Sequence, residues 1–278
     1  MTKQWGGMVA YTHQVTKDLM SAGSTAGGTF GGLFQSRGPN NAPLAFSDYD
    51  IPHRVVGYLS YRLGYGKLNP FGGDIVFSLG FTAAQSARYS YTIGGDMNGD
   101  GISNNDLIFV PNKASDLIFI SNRISATNTT FTPQQQADAF EAFITQDKYL
   151  SSRRGQYTER NGGLLPWLGR CDLSVAKNFA LKFGENKNTL QFRVDITNFG
   201  NLVNKNWGVG QRLTGSRPLA FAGLGGADGK TPTYRLATQT VTNPNNTSST
   251  YLLTNTYVNN NGLGDVYQIQ LGLRYSFN

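Results

Sequence analysis

Residues 266–277 read Val-Tyr-Gln-Ile-Gln-Leu-Gly-Leu-Arg-Tyr-Ser-Phe, and every second residue from Tyr267 to Phe277 is aromatic or aliphatic. The residues between them are mostly polar or small. A period of two sustained over this length predicts a β-strand with one apolar face and one polar face. Aromatic residues stand at both ends of the apolar face and aliphatic residues between them, which is typical of a strand that faces lipid in an outer-membrane barrel.

Similar alternation recurs along the chain. It predicts six strands, near residues 3–19, 53–64, 74–90, 168–182, 188–199 and 265–277. These segments reach the roughly 9–11 residues that a bilayer-crossing strand requires, whereas no apolar run approaches the roughly 20 residues of a membrane helix. The chain is therefore expected to be all-β.

The connections between these strands alternate between short and long. Residues 64–73 and 182–188 are short and rich in Gly, Asn and Lys, whereas the loops at 20–50, 91–167 and 200–264 are long. Structureless loops above roughly 15 residues are uncommon in compact soluble domains. Short turns at one end and long loops at the other are typical of outer-membrane barrels, so we expect a transmembrane antiparallel β-barrel segment with long extracellular loops.

One long loop is expected to carry a short helix. Thr132-Pro133-Gln134-Gln135 supplies an N-cap, a proline at the first helical position and a glutamine at the capping-box position. Phe140, Phe143 and Ile144 follow as an apolar stripe. The stripe either packs the helix onto the barrel mouth or lines a groove for a peptide.

The composition narrows the possible partners. The 278 residues carry a net charge of +7 but only 15% charged residues, and there is one cysteine. A disulfide framework and a multi-cysteine zinc site are excluded. The basic residues form no dense patch interleaved with aromatics, so nucleic acid is not an expected partner. Contact with anionic lipid or polysaccharide fits the charge better.

The sharpest candidate site is the acidic run that begins at Asp96. Asp96, Asn98 and Asp100 alternate before Gly101-Ile102, and Asp106 follows. Ca²⁺ prefers six to eight oxygen ligands, which these side chains and the Ile102 carbonyl would supply around a turn that glycine permits. The alternative is an Asx-rich turn that needs no ion. Any calcium here would be structural.

Nothing in the sequence indicates catalysis. The two histidines, His13 and His53, are distant in sequence and each lies within a strand pattern; His53 is expected to hold the barrel rim by a hydrogen bond. Cys171 falls on an apolar strand face and is expected to be a small lipid-facing residue. No pairing of a nucleophile with a base, or of two carboxylates, is evident, so we do not expect an enzyme.

Several segments carry a family resemblance, in the family's order and over nearly the whole chain. They are Tyr49–Arg54, Gly95–Gly101, Asn105–Pro111, Arg153–Asn161, Leu165–Trp167, Asp172–Phe179, Asp195–Asn198, Asn206–Gly208 and Gly272–Phe277. Through them the chain resembles the C-terminal part of a TonB-dependent outer-membrane receptor of the Bacteroidota type, the SusC/RagA-like and Oar-like group.

The resemblance implies a location and a set of partners. Such receptors lie in the bacterial outer membrane and close about 22 strands around an N-terminal plug, of which residues 1–278 would supply the last six strands and no plug. The implied partners are outer-membrane lipid, the TonB complex through the missing N-terminal part, a surface lipoprotein, and the barrel-assembly machinery, which would read Gln270–Phe277. Asn278 departs from the aromatic end of that signal.

The sequence therefore supports two alternative functions. The first is a part of an outer-membrane active transporter for a glycan, a peptide or a metal chelate, to which this piece contributes barrel wall and extracellular loops. Because six strands cannot close such a barrel, we expect the piece not to transport alone. The alternative is a calcium-binding cell-surface adhesion or structural β protein.

Overall fold

The computed structural model describes residues 4–21, 25–36, 38–64, 73–85, 87–183 and 186–277. Six long strands form one antiparallel sheet in which each strand pairs with its neighbours in sequence. They are β1 (Trp5–His13), β2 (His53–Leu63), β3 (Ile75–Gln85), β4 (Trp167–Phe183), β5 (Asn186–Thr197) and β6 (Gln268–Ser276). Within the described residues the sheet is open, and β1 and β6 are its two edges.

The expectation of a mostly β chain is confirmed, and the six strands lie within or close to the six predicted ranges. Most of the short turn predicted at 64–73 lies outside the described residues, as do two residues of the turn at 182–188. The three long connections leave the sheet at the end opposite to these turns.

Two predicted strands are too long because the chain leaves the sheet to pair elsewhere. The strand expected to reach residue 19 ends at His13, after which the Thr16 N–H donates to the Asp50 carboxylate at 2.7 Å. The strand expected to reach residue 90 ends at Gln85, and Arg88–Tyr89 pairs with Gly163–Leu164.

The last two strands are also bounded by local backbone chemistry. Strand β5 ends at Thr197 because Asn198 adopts a left-handed φ of 52°. Strand β6 begins at Gln268, later than the predicted residue 265, because Leu263–Asp265 forms a 3₁₀ turn. The Asp265 carboxylate in that turn accepts hydrogen bonds from the Gly210 N–H and the Arg170 guanidinium, both at 2.8 Å.

The long connections form a folded layer at one end of the sheet, which we call the loop layer (residues 14–52, 87–166 and 198–267). Its main sheet has four strands in the order Ile93–Gly94, Leu219–Gly225, Thr231–Leu236 and Ile118–Phe119. Its helices are α1 (Ala26–Gly31), α2 (Pro133–Gln146), α3 (Lys148–Ser152) and α4 (Phe199–Val203). The prediction of long loops with a single helix was therefore incomplete.

The remaining elements of the loop layer are short. The paired strands are Lys17–Asp18 with Ala45–Phe46, Arg88–Tyr89 with Gly163–Leu164, Phe109–Val110 with Gln156–Tyr157, Asn122–Ile124 with Thr129–Phe131, Gln211–Leu213 with Tyr257–Asn259, and Thr238–Thr242 with Ser248–Leu252. The 3₁₀ turns are Pro39–Asn41, Ala114–Asp116, Ser125–Thr127 and Leu263–Asp265. No helix in the described ranges combines the length and apolar character that crossing a membrane demands.

Helix α2 begins as its sequence predicts and anchors the buried core. The Thr132 hydroxyl accepts from the Gln135 N–H, and the Gln135 side chain accepts from the Thr132 N–H, which completes a capping box. The predicted stripe of Phe140, Phe143 and Ile144 is fully buried. It packs among apolar residues of the loop layer and, within the described residues, not onto the end of the six-stranded sheet where a barrel mouth was expected, so it is not free to line a peptide groove.

Candidate functional site

The register of the sheet places most apolar positions of the six strands on one face, which Lys177 interrupts, whereas Met8, Val56, Tyr58 and Val76 lie on the other face. Phe81 lies opposite Cys171, Val194 lies opposite Leu271, and most other apolar positions follow the same phase. We call the following set the apolar face: Trp5, Val9, Tyr11, Val55, Leu59, Tyr61, Leu63, Ile75, Phe77, Leu79, Phe81, Ala83, Trp167, Cys171, Leu173, Val175, Phe179, Leu190, Phe192, Val194, Ile196, Ile269, Leu271, Leu273 and Tyr275.

The apolar face is not covered by a second layer. Leu271 and Leu273 are 67% and 73% exposed, and among the described residues no apolar side chain of the six strands belongs to the buried core. Antiparallel sheets of soluble proteins commonly bury one face against a core. Exposed contiguous apolar surface of this extent marks contact with a membrane or a partner.

Two rows of rings bound the apolar face. At the end of the long connections stand Tyr11, His53 and Trp167, and at the other end stand Trp5 and Tyr61, whose ring centroids lie 4.4 Å apart. His53 and Tyr61 are eight residues apart on β2, which corresponds to about 27 Å along a strand. At the tilt of about 40° that strands of outer-membrane barrels adopt, this length would span about 21 Å, compared with their apolar band of roughly 25 Å.

The opposite face of the sheet is more polar and carries paired charges. The Arg193 guanidinium lies 2.7 Å from the Asp195 carboxylate on the same strand. Arg62 and Asp74 form a second pair at 3.1 Å. Gln270 and Arg274 of β6 share this face with Arg193. The sheet is thus amphipathic through its thickness, with ion pairs on one face and mainly apolar side chains on the other.

The loop layer is held together by buried polar contacts between different connections. Asp50, from the first connection, is fully buried and pairs with the Arg88 guanidinium of the second at 2.5 Å. Tyr89 and Tyr257 share a hydrogen bond of 2.8 Å that joins the second connection to the third. Removing one partner of a buried ion pair leaves the other charge buried and unpaired, which is strongly destabilising. These contacts therefore fix how the connections pack against each other.

A cavity of about 460 Å³ opens in the loop layer near the sheet. Tyrosine rings and polar groups line it, among them Tyr89, Asp147, Lys148, Tyr149, Leu165 and Tyr257. Burial raises the pKa of the Tyr89 and Tyr257 hydroxyls, which keeps both neutral well above physiological pH, where they act as hydrogen-bond donors and acceptors. An aromatic cavity with a few convergent polar groups is a typical small-ligand site.

The predicted calcium residues lie in one compact loop. The Asp96 carboxylate accepts hydrogen bonds from the N–H groups of Gly99 at 2.8 Å, Asp100 at 3.2 Å and Gly101 at 2.9 Å. The Asn98 side-chain oxygen accepts from the Asp100 N–H at 2.9 Å. The Ile102 N–H donates to the Asp100 carboxylate at 2.8 Å. The Asx turns of the alternative interpretation are therefore present.

The Asp106 side chain joins the end of this loop back to its start. One of its carboxylate oxygens accepts from the Met97 and Asn98 N–H groups at 2.6 and 3.2 Å, while the other, Oδ1, is buried and has no hydrogen-bond partner among the described residues. Burial raises the pKa of the Asp106 carboxyl, and the charges of Asp100 and Asp96 raise it further. The loop thus concentrates negative charge around an unsatisfied oxygen.

These residues fit calcium in chemical type, although the acidic side chains are not drawn together. Within the described ranges, no group of three or more His, Cys, Asp or Glu side chains is gathered closely enough to hold a metal ion. The unpartnered Asp106 oxygen and the mutual repulsion of the carboxylates are what a cation would relieve. We therefore propose that Asp96, Asn98, Asp100, Asp106 and the Ile102 carbonyl hold a structural Ca²⁺.

Calcium is expected to stabilise the loop layer. Because the folded-state pKa of Asp106 is raised, its ionisation costs stability as pH rises from the unfolded towards the folded pKa, and a cation offsets that cost. At about 100 times its Kd, Ca²⁺ should add about 2.7 kcal/mol to the free energy of unfolding, measured by thermal denaturation with Ca²⁺ or with EDTA.

Two conservative variants make the calcium measurement specific. Asp96→Asn should abolish the difference between Ca²⁺ and EDTA. Asp228→Asn, which changes an acidic turn residue elsewhere in the loop layer, should preserve it. Equal stability of the parent protein in Ca²⁺ and in EDTA would show that the loop is an Asx turn without an ion.

The structure brings the two histidines together, which the sequence analysis missed. His13 of β1 lies directly opposite His53 of β2, and their ring centroids are 4.8 Å apart. His53 makes a hydrogen bond with the Tyr11 hydroxyl at 2.8 Å, at the end of β2 next to the loop layer; its predicted role at a barrel rim stays a prediction. Cys171 lies on the apolar face, partly exposed, as predicted from the alternation.

Comparison of the chain with protein-family models, with curated proteins and with solved structures gave no match.

Proposed function

We propose that this chain forms part of the wall and the outer loops of an active transporter in the bacterial outer membrane. The observation that carries the proposal is the exposed apolar face, bounded by two rows of rings. In this proposal the apolar face contacts lipid, and the rings of Trp5, Tyr11, Tyr61 and Trp167 lie at the two membrane interfaces. Most basic residues then lie in loops, at rims and on the polar face, and Lys177 is the exception on the apolar face.

The energetics favour lipid as the partner of the apolar face. Transfer of apolar surface from water stabilises by about 25 cal/mol per Å². Side chains such as Leu271 and Leu273 therefore strongly disfavour water at their present exposure. The backbone of an open edge is also costly in hydrocarbon, so the edges β1 and β6 would pair with further strands that complete the wall, or with the edges of other copies when this chain alone is in vesicles.

The rest of the molecule receives a role in the same proposal. The polar face, with Arg193 and Asp195, would line the interior, where a plug moves when the TonB complex is energised. The loop layer would face outside and capture a nutrient, a glycan, a peptide or a metal chelate, in the cavity lined by Tyr89 and Tyr257. A surface lipoprotein would bind over this layer, and the barrel-assembly machinery would read Gln270–Phe277.

Association with lipid vesicles tests the proposal. The full chain, folded from denaturant in the presence of phospholipid vesicles, should float with them and stay bound after a urea wash. Added protease should cut within the loop layer and spare β1 to β6. A monodisperse monomer in buffer without detergent or lipid would contradict the proposal.

The Asp96–Asp106 loop favours a second candidate, a calcium-dependent adhesion or structural protein of the cell surface. It is a short acidic turn within a folded layer at one end of the sheet, where a calcium ion could hold an adhesive surface in shape. This candidate predicts a soluble chain whose stability depends on calcium. The vesicle experiment separates the two candidates, because only the transporter wall requires lipid.

A further inference from the structure

We propose that His13 and His53 form a binding site for a divalent transition-metal ion, of the class of Cu²⁺ or Zn²⁺, at the end of the sheet next to the loop layer. The two residues are direct partners across the β1–β2 ladder, and their rings are nearly parallel at 24° and 4.8 Å. Imidazole nitrogens are good ligands for these ions, whereas Ca²⁺ prefers oxygen ligands and is not expected to bind here.

The hydrogen bonds of the two rings prepare the outer nitrogens for coordination. The His13 Nδ1–H donates to the Pro52 carbonyl at 2.8 Å, so the lone pair of the neutral ring lies on Nε2. His53 Nδ1 shares a hydrogen bond with the Tyr11 hydroxyl at 2.8 Å, which leaves its Nε2 as the ligand when Nδ1–H is the donor. Among the described residues, neither Nε2 has a hydrogen-bond partner.

The two rings are near enough to reach a shared ion. Metal–nitrogen bonds of about 2.0–2.1 Å hold two imidazole nitrogens at most about 4.2 Å apart. The ring centroids lie 4.8 Å apart and the rings are stacked at 24°, so both side chains would rotate to point their Nε2 lone pairs at one ion. Water would occupy the remaining coordination positions. The Pro52 carbonyl and the Tyr11 hydroxyl orient the ligands from behind, as the outer partners of metal-bound histidines do.

Trp167 supplies a natural reporter for this site. Its ring lies 6.1 Å from that of His53 and nearly parallel to it, at 20°. A Cu²⁺ ion on the histidine pair would quench Trp167, whereas the other two tryptophans, Trp5 and Trp207, provide a background. The measurement is a Cu²⁺ titration of the full chain, followed by tryptophan fluorescence and by calorimetry, with excess Zn²⁺ as competitor.

The expected results discriminate this pair from incidental metal binding. His13→Gln and His53→Gln should each weaken Cu²⁺ binding about tenfold or more, because each leaves a single imidazole. Trp167→Phe should keep the affinity measured by calorimetry but lose most of the quenching. Excess Zn²⁺ should restore the fluorescence of the parent protein, even though Cu²⁺ binds such ligands more tightly.

Two results would overturn the proposal. One is an unchanged Cu²⁺ affinity in both histidine variants that retain the circular dichroism of the parent. The other is equal quenching of the parent and of Trp167→Phe. Neither outcome bears on the transporter proposal, since the histidine pair is a property of the β1–β2 ladder whatever solvent the apolar face contacts.

Discussion

Replacing Leu271 with arginine is expected to remove about 2–4 kcal/mol from the free energy of unfolding of the chain in phospholipid vesicles. Leu271 lies in the middle of β6 on the apolar face, opposite Val194, and is 67% exposed. If that exposure is to hydrocarbon, the guanidinium loses its hydration there. On a water-exposed surface the same substitution should change stability by no more than about 0.5 kcal/mol. Chemical denaturation in vesicles measures the difference.

The neighbouring residue provides the matched control. Gln270→Arg introduces the same side chain one position earlier, on the polar face, opposite Asp195. It should leave the free energy of unfolding nearly unchanged or raise it slightly. If Leu271→Arg were as neutral as Gln270→Arg, the apolar face would not be in contact with lipid.

Truncating Phe140 to alanine is expected to cost about 3–5 kcal/mol. Phe140 is fully buried in α2, and its ring packs against those of Phe119 and Phe143 at centroid distances of 6.2 and 6.5 Å. The substitution leaves a cavity in the centre of the loop layer. Hydrogen exchange of α2 and of the strand Thr231–Leu236 should accelerate accordingly, while exchange of β4 and β5 should change little.

Phe30→Ala is the control for the core truncation. Phe30 belongs to α1 and is 46% exposed, so its loss should cost less than about 1 kcal/mol. Equal effects of the two substitutions would mean that the loop layer lacks the packed core described above and behaves as a set of independent loops.

The sheet could be predicted from the sequence because its information is local. Alternation along segments such as Ile75–Phe81 specifies which side chains share a face, and short connections bring neighbouring strands together. The strand ends were less accurate because they depend on distant groups. His13 ends β1 where the next residues bond to Asp50 and Pro52, neither of which the local pattern reveals.

The loop layer could not be predicted because its strands pair over only two or a few residues and join segments that are distant in sequence. Ile93–Gly94 pairs in parallel with Leu219–Ala220, and Thr233–Tyr234 pairs with Ile118–Phe119. Two-residue pairings carry no periodicity, so burial of apolar side chains from several connections decides them. Only α2, with its complete N-terminal capping signal, was visible in advance.

The two candidate metal sites show the same difference between features that are local in sequence and features that depend on distant segments. The Asp96–Asp106 loop was visible because all its donors lie within one short segment. The pairing of His13 with His53 was not, because it depends on the register across the first long connection. A signal was available in hindsight, since both residues lie at the ends of strands that flank that connection.

The most direct test of the central claim is a cysteine scan of β6, residues 268–275, in a Cys171→Ala background. Each cysteine carries a nitroxide spin label, and accessibility to oxygen and to a water-soluble nickel complex is measured in phospholipid vesicles. We expect labels at 269, 271, 273 and 275 to be accessible to oxygen and shielded from nickel, and those at 268, 270, 272 and 274 to show the opposite. The reverse alternation, or nickel accessibility at every position, would contradict a lipid-facing sheet.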